Sequence, residues 1–205
     1  GHSYRKYELK SVTVTTFNKK LTVDGTIIVD ANLITTDLTA SYDKDTLTFN
    51  SKTQKVGERK YITKVNLLPF QYPELRGSVN WEYERTPHKI ENKLVVVHGP
   101  DLKSEVSRIS ITQLLTYKYE SVEEYEFYTE NTVLYPLLDF SALLKGSVTP
   151  KNVMYDVDVT YNNNQVSSKL DAKMGMKAPT DYSIDFETKV LENSVELILN
   201  HERVS

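Results

Sequence analysis

The sequence predicts an all-β protein: a large antiparallel meander forming a curved amphipathic sheet, sandwich or open barrel, with at most one short helix. Three observations carry this. Apolar and polar residues alternate over strand lengths, as where Tyr155, Val157, Val159 and Tyr161 interleave with Asp156, Asp158 and Thr160. A period of two puts every second side chain on one face of a sheet. The pattern recurs from one end of the chain to the other, resuming for instance at Leu170, Ala172, Met174 and Met176 beyond Asn162-Asn163-Asn164. The composition agrees: 14 tyrosines with abundant Thr and Val favour pleated, half-buried surfaces.

Taken in order, strands are expected near Tyr4–Phe17, Leu21–Leu33, Asp37–Tyr42, Thr46–Lys52, Lys60–Leu68, Gly77–Arg85 and Lys89–His98. Further strands are expected near Ser107–Tyr119, Glu123–Thr132, Ser147–Pro150, Val153–Tyr161, Val166–Met176, Tyr182–Leu191 and Val195–Arg203. The separators carry turn chemistry: Asp24-Gly25, Tyr42-Asp43-Lys44-Asp45, Asn162-Asn163-Asn164, Ala178-Pro179-Thr180-Asp181 and Glu192-Asn193-Ser194. Asn and Asp tolerate positive φ and bond their own backbone, while Pro presets φ. Such short connections join antiparallel neighbours, and no helical segment alternates with strands as a βαβ unit needs.

Two stretches interrupt the meander. Leu67-Leu68-Pro69-Phe70-Gln71-Tyr72-Pro73 has two prolines, which cannot occupy the interior of a central strand. Tyr135 to Gly146 reads equally as irregular strand or as a short helix with Pro136 at its first position and Gly146 past its end. Gly1-His2-Ser3 reads as a cloning scar. Residues 4–205 read as a single β-rich domain excised from a longer chain.

Composition narrows the function classes. A net charge of -3 lacks the basic bias of a nucleic-acid-binding domain. With no cysteine, disulfides and thiolate metal sites are ruled out. No run approaches the roughly 18 apolar residues of a membrane-spanning helix. His2, His88, His98 and His201 are scattered without metal-ligand spacing, and no cofactor or metal is expected. The seven glycines never cluster into a phosphate-binding loop, and a Gly-x-Ser-x-Gly elbow is missing.

Carboxylates are densest between Glu120 and Glu130, where Glu124, Glu126 and Glu130 share a face with Tyr128. Neighbours on one face do not make the asymmetric acid pair of a glycosidase, so the run reads as a solvated acidic face. Lys52, Lys55, Arg59 and Lys60 form a basic cluster around Gly57 that reads chiefly as a charged turn, with a polyanion or receptor contact as the functional alternative. Non-enzymatic chemistry is therefore expected.

The strands Val79-Asn80-Trp81-Glu82-Tyr83 and Tyr182-Ser183-Ile184-Asp185-Phe186-Glu187 set large side chains on one side. In-phase apolar residues singled out are Trp81, Tyr83, Leu94, Val96, Val157, Val159, Leu170, Met174, Ile184 and Phe186, facing either lipid or a protein core. Burying each such side chain is worth roughly 1.5–3 kcal/mol, so the apolar face must be covered by a second sheet, by barrel closure or by lipid.

The stretch Leu75-Arg76-Gly77-Ser78-Val79-Asn80-Trp81-Glu82-Tyr83-Glu84-Arg85, with Ile90-Glu91-Asn92-Lys93-Leu94-Val95-Val96-Val97-His98-Gly99, resembles the β-rich region of large lipid transfer proteins. These are the apolipophorins, vitellogenins and apolipoprotein-B-like proteins, and the likeness is greatest to arthropod apolipophorins, mite group 14 allergens included. The resemblance implies a secreted, non-catalytic lipid carrier, with neutral lipid or phospholipid as cargo. Further partners would be the remaining domains of a parent chain or a lipoprotein receptor, and no nucleic acid. A monomer or small oligomer is expected. The alternative is a closed β-sandwich or barrel serving as a structural or adhesive module. An outer-membrane barrel is disfavoured because aromatic girdles are not evident in the strands.

Overall fold

In the computed structural model, the described residues are 4–14, 20–43, 45–69, 71–175, 181–191 and 193–201. They form fourteen strands: β1 (Arg5–Val14), β2 (Lys20–Val29), β3 (Leu33–Tyr42), β4 (Asp45–Lys55), β5 (Lys60–Pro69), β6 (Gly77–Thr86) and β7 (Lys89–His98). The second half holds β8 (Arg108–Tyr119), β9 (Tyr125–Tyr135), β10 (Phe140–Val148), β11 (Asn152–Tyr161), β12 (Asn164–Met174), β13 (Tyr182–Val190) and β14 (Asn193–His201). Strand order in the sheet is chain order, so the meander is realised, and β1 and β14 are the end strands.

The chain divides into two compact units. The first comprises Gly1–Glu84 with Lys93–Ile109, and the second Arg85–Asn92 with Ser110–Ser205. In the first, β1 to β5 and the start of β6 pair antiparallel in unbroken register. In the second, β8 to β14 do the same.

Asp24-Gly25 does not form the expected turn. It lies inside β2, and the chain reverses instead at Asp30-Ala31-Asn32, where the N–H of Asp30 donates to the carbonyl of Leu33 at 2.7 Å. The reason is steric: Gly25 sits between Leu9 and Leu38. A Cβ there would stand 2.1 Å from Leu38 Cδ2 and 3.0 Å from the Asp37 carbonyl oxygen. Its glycine serves close packing on a face, a recognised use of glycine inside strands.

The segment left open between helix and irregular strand is both. Pro136–Leu138 makes a single 3₁₀ turn ending at Asp139 with φ 47°, after which β10 begins at Phe140. The other 3₁₀ turn, Pro73–Leu75, follows the proline-broken end of β5, so the described residues hold two such turns and no α-helix. Pro69 is the last residue of β5, opposite Leu47 and beyond the stretch of β5 that pairs with β6. The expected turns around Lys44, Glu192 and 178–180 fall wholly or partly outside the described residues, as do residues 15–17 of the first expected strand.

Little is buried. Most large apolar side chains of the described strands are half-buried or exposed. Among the described residues Val97 is the one buried apolar side chain of core type, and no side chain is fully buried. Backbone ladders between neighbouring strands, rather than an interior, hold each unit together.

Candidate lipid-facing surface

Register decides which side chains share a face, because directly opposed residues in an antiparallel ladder point the same way. In the first unit, one row crosses the sheet as Leu9, Gly25, Leu38, Phe49, Leu67 and Gly77. The next row on that face is Tyr7, Ile27, Thr36, Ser51, Val65 and Val79. Beyond it lie Thr63 opposite Trp81 and Tyr61 opposite Tyr83. The rings of Tyr61 and Tyr83 stand 6.5 Å apart and those of Trp81 and Tyr83 6.2 Å, so the three make an aromatic group. The reverse face carries Glu8, Thr26, Asp37, Asn50, Asn66 and Ser78, with the Asn50 amide donating to Asp37 Oδ1 at 2.7 Å.

The second unit repeats this division. One row is Leu115, Thr129, Gly146, Tyr155, Leu170, Phe186 and Leu197, and its neighbour is Tyr117, Phe127, Val148, Val153, Ala172, Ile184 and Leu199. On the other face Glu130, Lys145, Asp156, Lys169 and Glu187 oppose one another in alternating sign across β9 to β13. Opposite charges directly across a ladder favour that register and disfavour a slip.

Among the described residues, each apolar face keeps exposed side chains. Trp81 is 42% exposed, Met174 56% and Leu197 49%. Tyr7, Leu9, Ile34, Leu47, Phe127, Leu144 and Leu199 are exposed as well. Contiguous exposed apolar surface on this scale marks an interaction site.

Of the residues singled out from sequence, Trp81 and Tyr83 lie on the apolar face of the first unit. Val157, Val159, Leu170, Met174, Ile184 and Phe186 all lie on that of the second. Leu94 and Val96 alternate in β7, each half-buried. Many equivalent positions were missed, among them Val23, Leu38, Phe49, Val65, Phe127 and Leu197. Each alternates in its own strand, and only the register shows that they form one surface.

Tyrosine placement was also missed. Tyr42, Tyr61, Tyr119, Tyr125, Tyr135, Tyr161 and Tyr182 stand within the first or last two positions of their strands. All seven belong to the apolar face of their unit. They stand at the ends of the strands, and a ring with an apolar body and a polar tip suits a boundary between oil and water.

The basic cluster is not brought together. Lys52 lies on the polar face opposite Lys64, Lys60 pairs with Glu84 at 3.5 Å, Lys55 opposes Tyr61, and Arg59 lies in the turn. Within the acidic run, Lys118 Nζ reaches Glu120 at 2.8 Å and Glu124 at 3.8 Å. That hydrogen bond and charge hold the Glu120 carboxyl below the usual carboxylate range and raise Lys118. Glu126, Tyr128 and Glu130 share the polar face of β9 as read from sequence. The Tyr128 hydroxyl donates to Glu130 Oε2 at 2.5 Å, which raises its pKa.

A shallow depression beside His88, Tyr117, Tyr119 and Glu126 is open to solvent, with the His88 and Tyr117 rings 6.4 Å apart. Among the described residues, no three His, Asp or Glu side chains converge on a metal-sized site, and no helix is long and apolar enough to cross a membrane.

No protein-family model and no solved structure matches this chain. Two curated relatives do, both apolipophorins. That of Locusta migratoria is 24% identical over 197 residues, covering 96% of this chain and 6% of the relative. That of Manduca sexta is 23% identical over 133 residues, covering 65% of this chain and 4% of the relative. The chain thus spans a small part of those long proteins, and in sequence it is apolipophorin-like across nearly its whole length.

Proposed function

We propose that this chain is a non-catalytic lipid-binding β-segment of a secreted lipoprotein, with lipid covering the apolar face of each unit. One observation carries the reading: within each unit the paired strands sort their side chains into an apolar and a polar face, and among the described residues many apolar side chains of that face stay exposed. The tyrosine rims favour a surface monolayer with polar headgroups over bulk neutral lipid, since a phenol hydroxyl at the edge of the apolar band needs a wet partner. Likeness to apolipophorins supports the lipoprotein setting and the extracellular location.

Trp81 is the sole tryptophan of the chain and lies on the apolar face, so it reports directly. The chain should float with a phosphatidylcholine-coated triolein emulsion. Its Trp81 emission should shift to the blue and be quenched by bromine-labelled acyl chains. Phe186→Glu, at the middle of β13 on the second unit's apolar face, should weaken flotation about tenfold or more, because burying a phenyl ring is worth about 1.5–3 kcal/mol. Glu187→Gln, on the opposite face, should leave it unchanged. A chain that stays at the bottom of the gradient with unshifted emission would refute the reading.

A further inference from the structure

Charge is almost absent from the apolar faces, so the few charged residues there are informative. In the second unit, the paired strands β8 to β14 place no lysine, arginine, aspartate or glutamate on that face among the described residues. The first unit has Arg5, Asp45 and Lys55 there. The other charged residues paired in β1 to β6 of that unit all lie on its polar face. Arg5 and Lys55 stand at one end of the strands and Asp45 at the other. The eleven residues of β4 put roughly 30 Å between Asp45 and Lys55.

The cationic end is also the aromatic end. Lys55 opposes Tyr61, which in turn opposes Tyr83. The neighbouring row runs Arg5, Val29, Ile34, Thr53, Thr63 and Trp81, with the Thr53 and Thr63 hydroxyls 3.0 Å apart. On the polar face Lys60 pairs with Glu84 at 3.5 Å, whereas Lys55 has no acidic partner among the described residues. Lys55 is half-buried. A lysine so placed lays its methylene stem along apolar surface and carries its ammonium to the nearest polar medium. At the margin of a lipid-covered face, that medium is the layer of headgroups.

We propose that this end of the first unit's apolar face binds phospholipid phosphate, with Lys55 and Arg5 holding the anion, so that the chain prefers acidic to zwitterionic phospholipid. The proposal rests on the lipid-covered reading above and names the headgroup chemistry. A zwitterionic headgroup brings its own ammonium to the phosphate, and an acidic one leaves the phosphate to the protein. Each lysine or arginine close to an anionic lipid surface strengthens binding about fivefold. Asp45, beside Tyr42 at the other end, repels the same anion, so acidic headgroups gather at the Lys55 end.

Two triolein emulsions test this with the full chain, one coated with phosphatidylcholine and one with phosphatidylcholine mixed with phosphatidylglycerol. The mixed coat should bind the chain about tenfold or more tightly at low salt, and the ratio should shrink as salt screens the charges. Lys55→Gln should reduce that ratio about fivefold, and Lys55→Arg should keep it. Lys52→Gln removes the same charge from the polar face, where Lys52 opposes Lys64, and should leave the ratio nearly intact. Trp81, in the row next to Lys55, gives a local readout on the unaltered chain. In the mixed coat, brominated phosphatidylglycerol should quench it more than brominated phosphatidylcholine at equal content. Equal binding to both coats, equal quenching by both lipids, a ratio undiminished in Lys55→Gln, or one lost equally in Lys52→Gln would each overturn the proposal and leave the lipid-binding reading standing. A chain that binds neither coat would overturn both.

Discussion

A methyl group at Gly25 would have no space. Its position 2.1 Å from Leu38 Cδ2 and 3.0 Å from a backbone oxygen forces either the leucine or the β3 backbone to move. Overpacking of this kind costs about 1–3 kcal/mol, so Gly25→Ala should lower stability by that amount in urea titration. Gly146→Ala is the matched control, because its Cβ would meet Thr129 Cγ2 at 3.4 Å, an ordinary contact. There the loss of unfolded-chain freedom should leave stability equal or higher by up to about 1 kcal/mol. The same glycine shows where sequence reading falls short at this scale. Asp-Gly is a strong turn signal in isolation, and nothing in the flanking residues reveals that Leu38, thirteen positions away, occupies the space above it. Alternation was legible residue by residue, as Trp81, Val157, Leu170 and Phe186 attest. Which alternating residues meet across strands was not, because that depends on register.

At the scale of elements, strands announced themselves and connections did so unevenly. All fourteen expected strands overlap observed ones, since each is a period-two run of β-branched, aromatic and polar residues. Boundaries failed where two signals competed. Beside Tyr135–Gly146, Pro136 and Gly146 imitate a helix start and stop, yet the chain makes only one 3₁₀ turn before Asp139 bends it into β10. The Asp139 carbonyl then accepts from Asn162 N–H and its carboxylate from Asn163 N–H, both at 3.1 Å, which ties that bend to the β11–β12 turn. Asn162 and Asn163 have φ of 49° and 63°, the left-handed conformation that asparagine tolerates. Leu191 adopts φ 58° in the β13–β14 connection without that tolerance. A left-handed conformation costs a residue with a Cβ about 1–2 kcal/mol. Leu191→Asn should therefore raise stability, by about 1 kcal/mol, measurable as a higher urea midpoint with an unchanged slope.

For the whole molecule, the amphipathic meander was legible but its cover was not, because period two reports that a face is apolar and is silent on what lies above it. Sandwich, barrel and lipid-covered sheet share one binary pattern. Side-chain exposure bears on the choice. Among the described residues Trp81, Phe127, Met174, Leu197 and Leu199 remain exposed in the folded chain, apolar surface that folding has not removed from water. The denaturant slope m and the heat capacity change of unfolding both scale with the area newly exposed when a chain unfolds. With part of the apolar surface already exposed in the folded state, both quantities should fall below those of a compact 205-residue protein. Addition of phosphatidylcholine-coated emulsion should raise the apparent midpoint, because a ligand that binds only the folded sheet stabilises it by mass action. Urea titrations and calorimetry of the lipid-free chain decide the matter: an m-value and heat capacity change equal to those of compact proteins of this length would mean that the apolar faces are sealed by protein, and the adhesive or structural module would then be the better account.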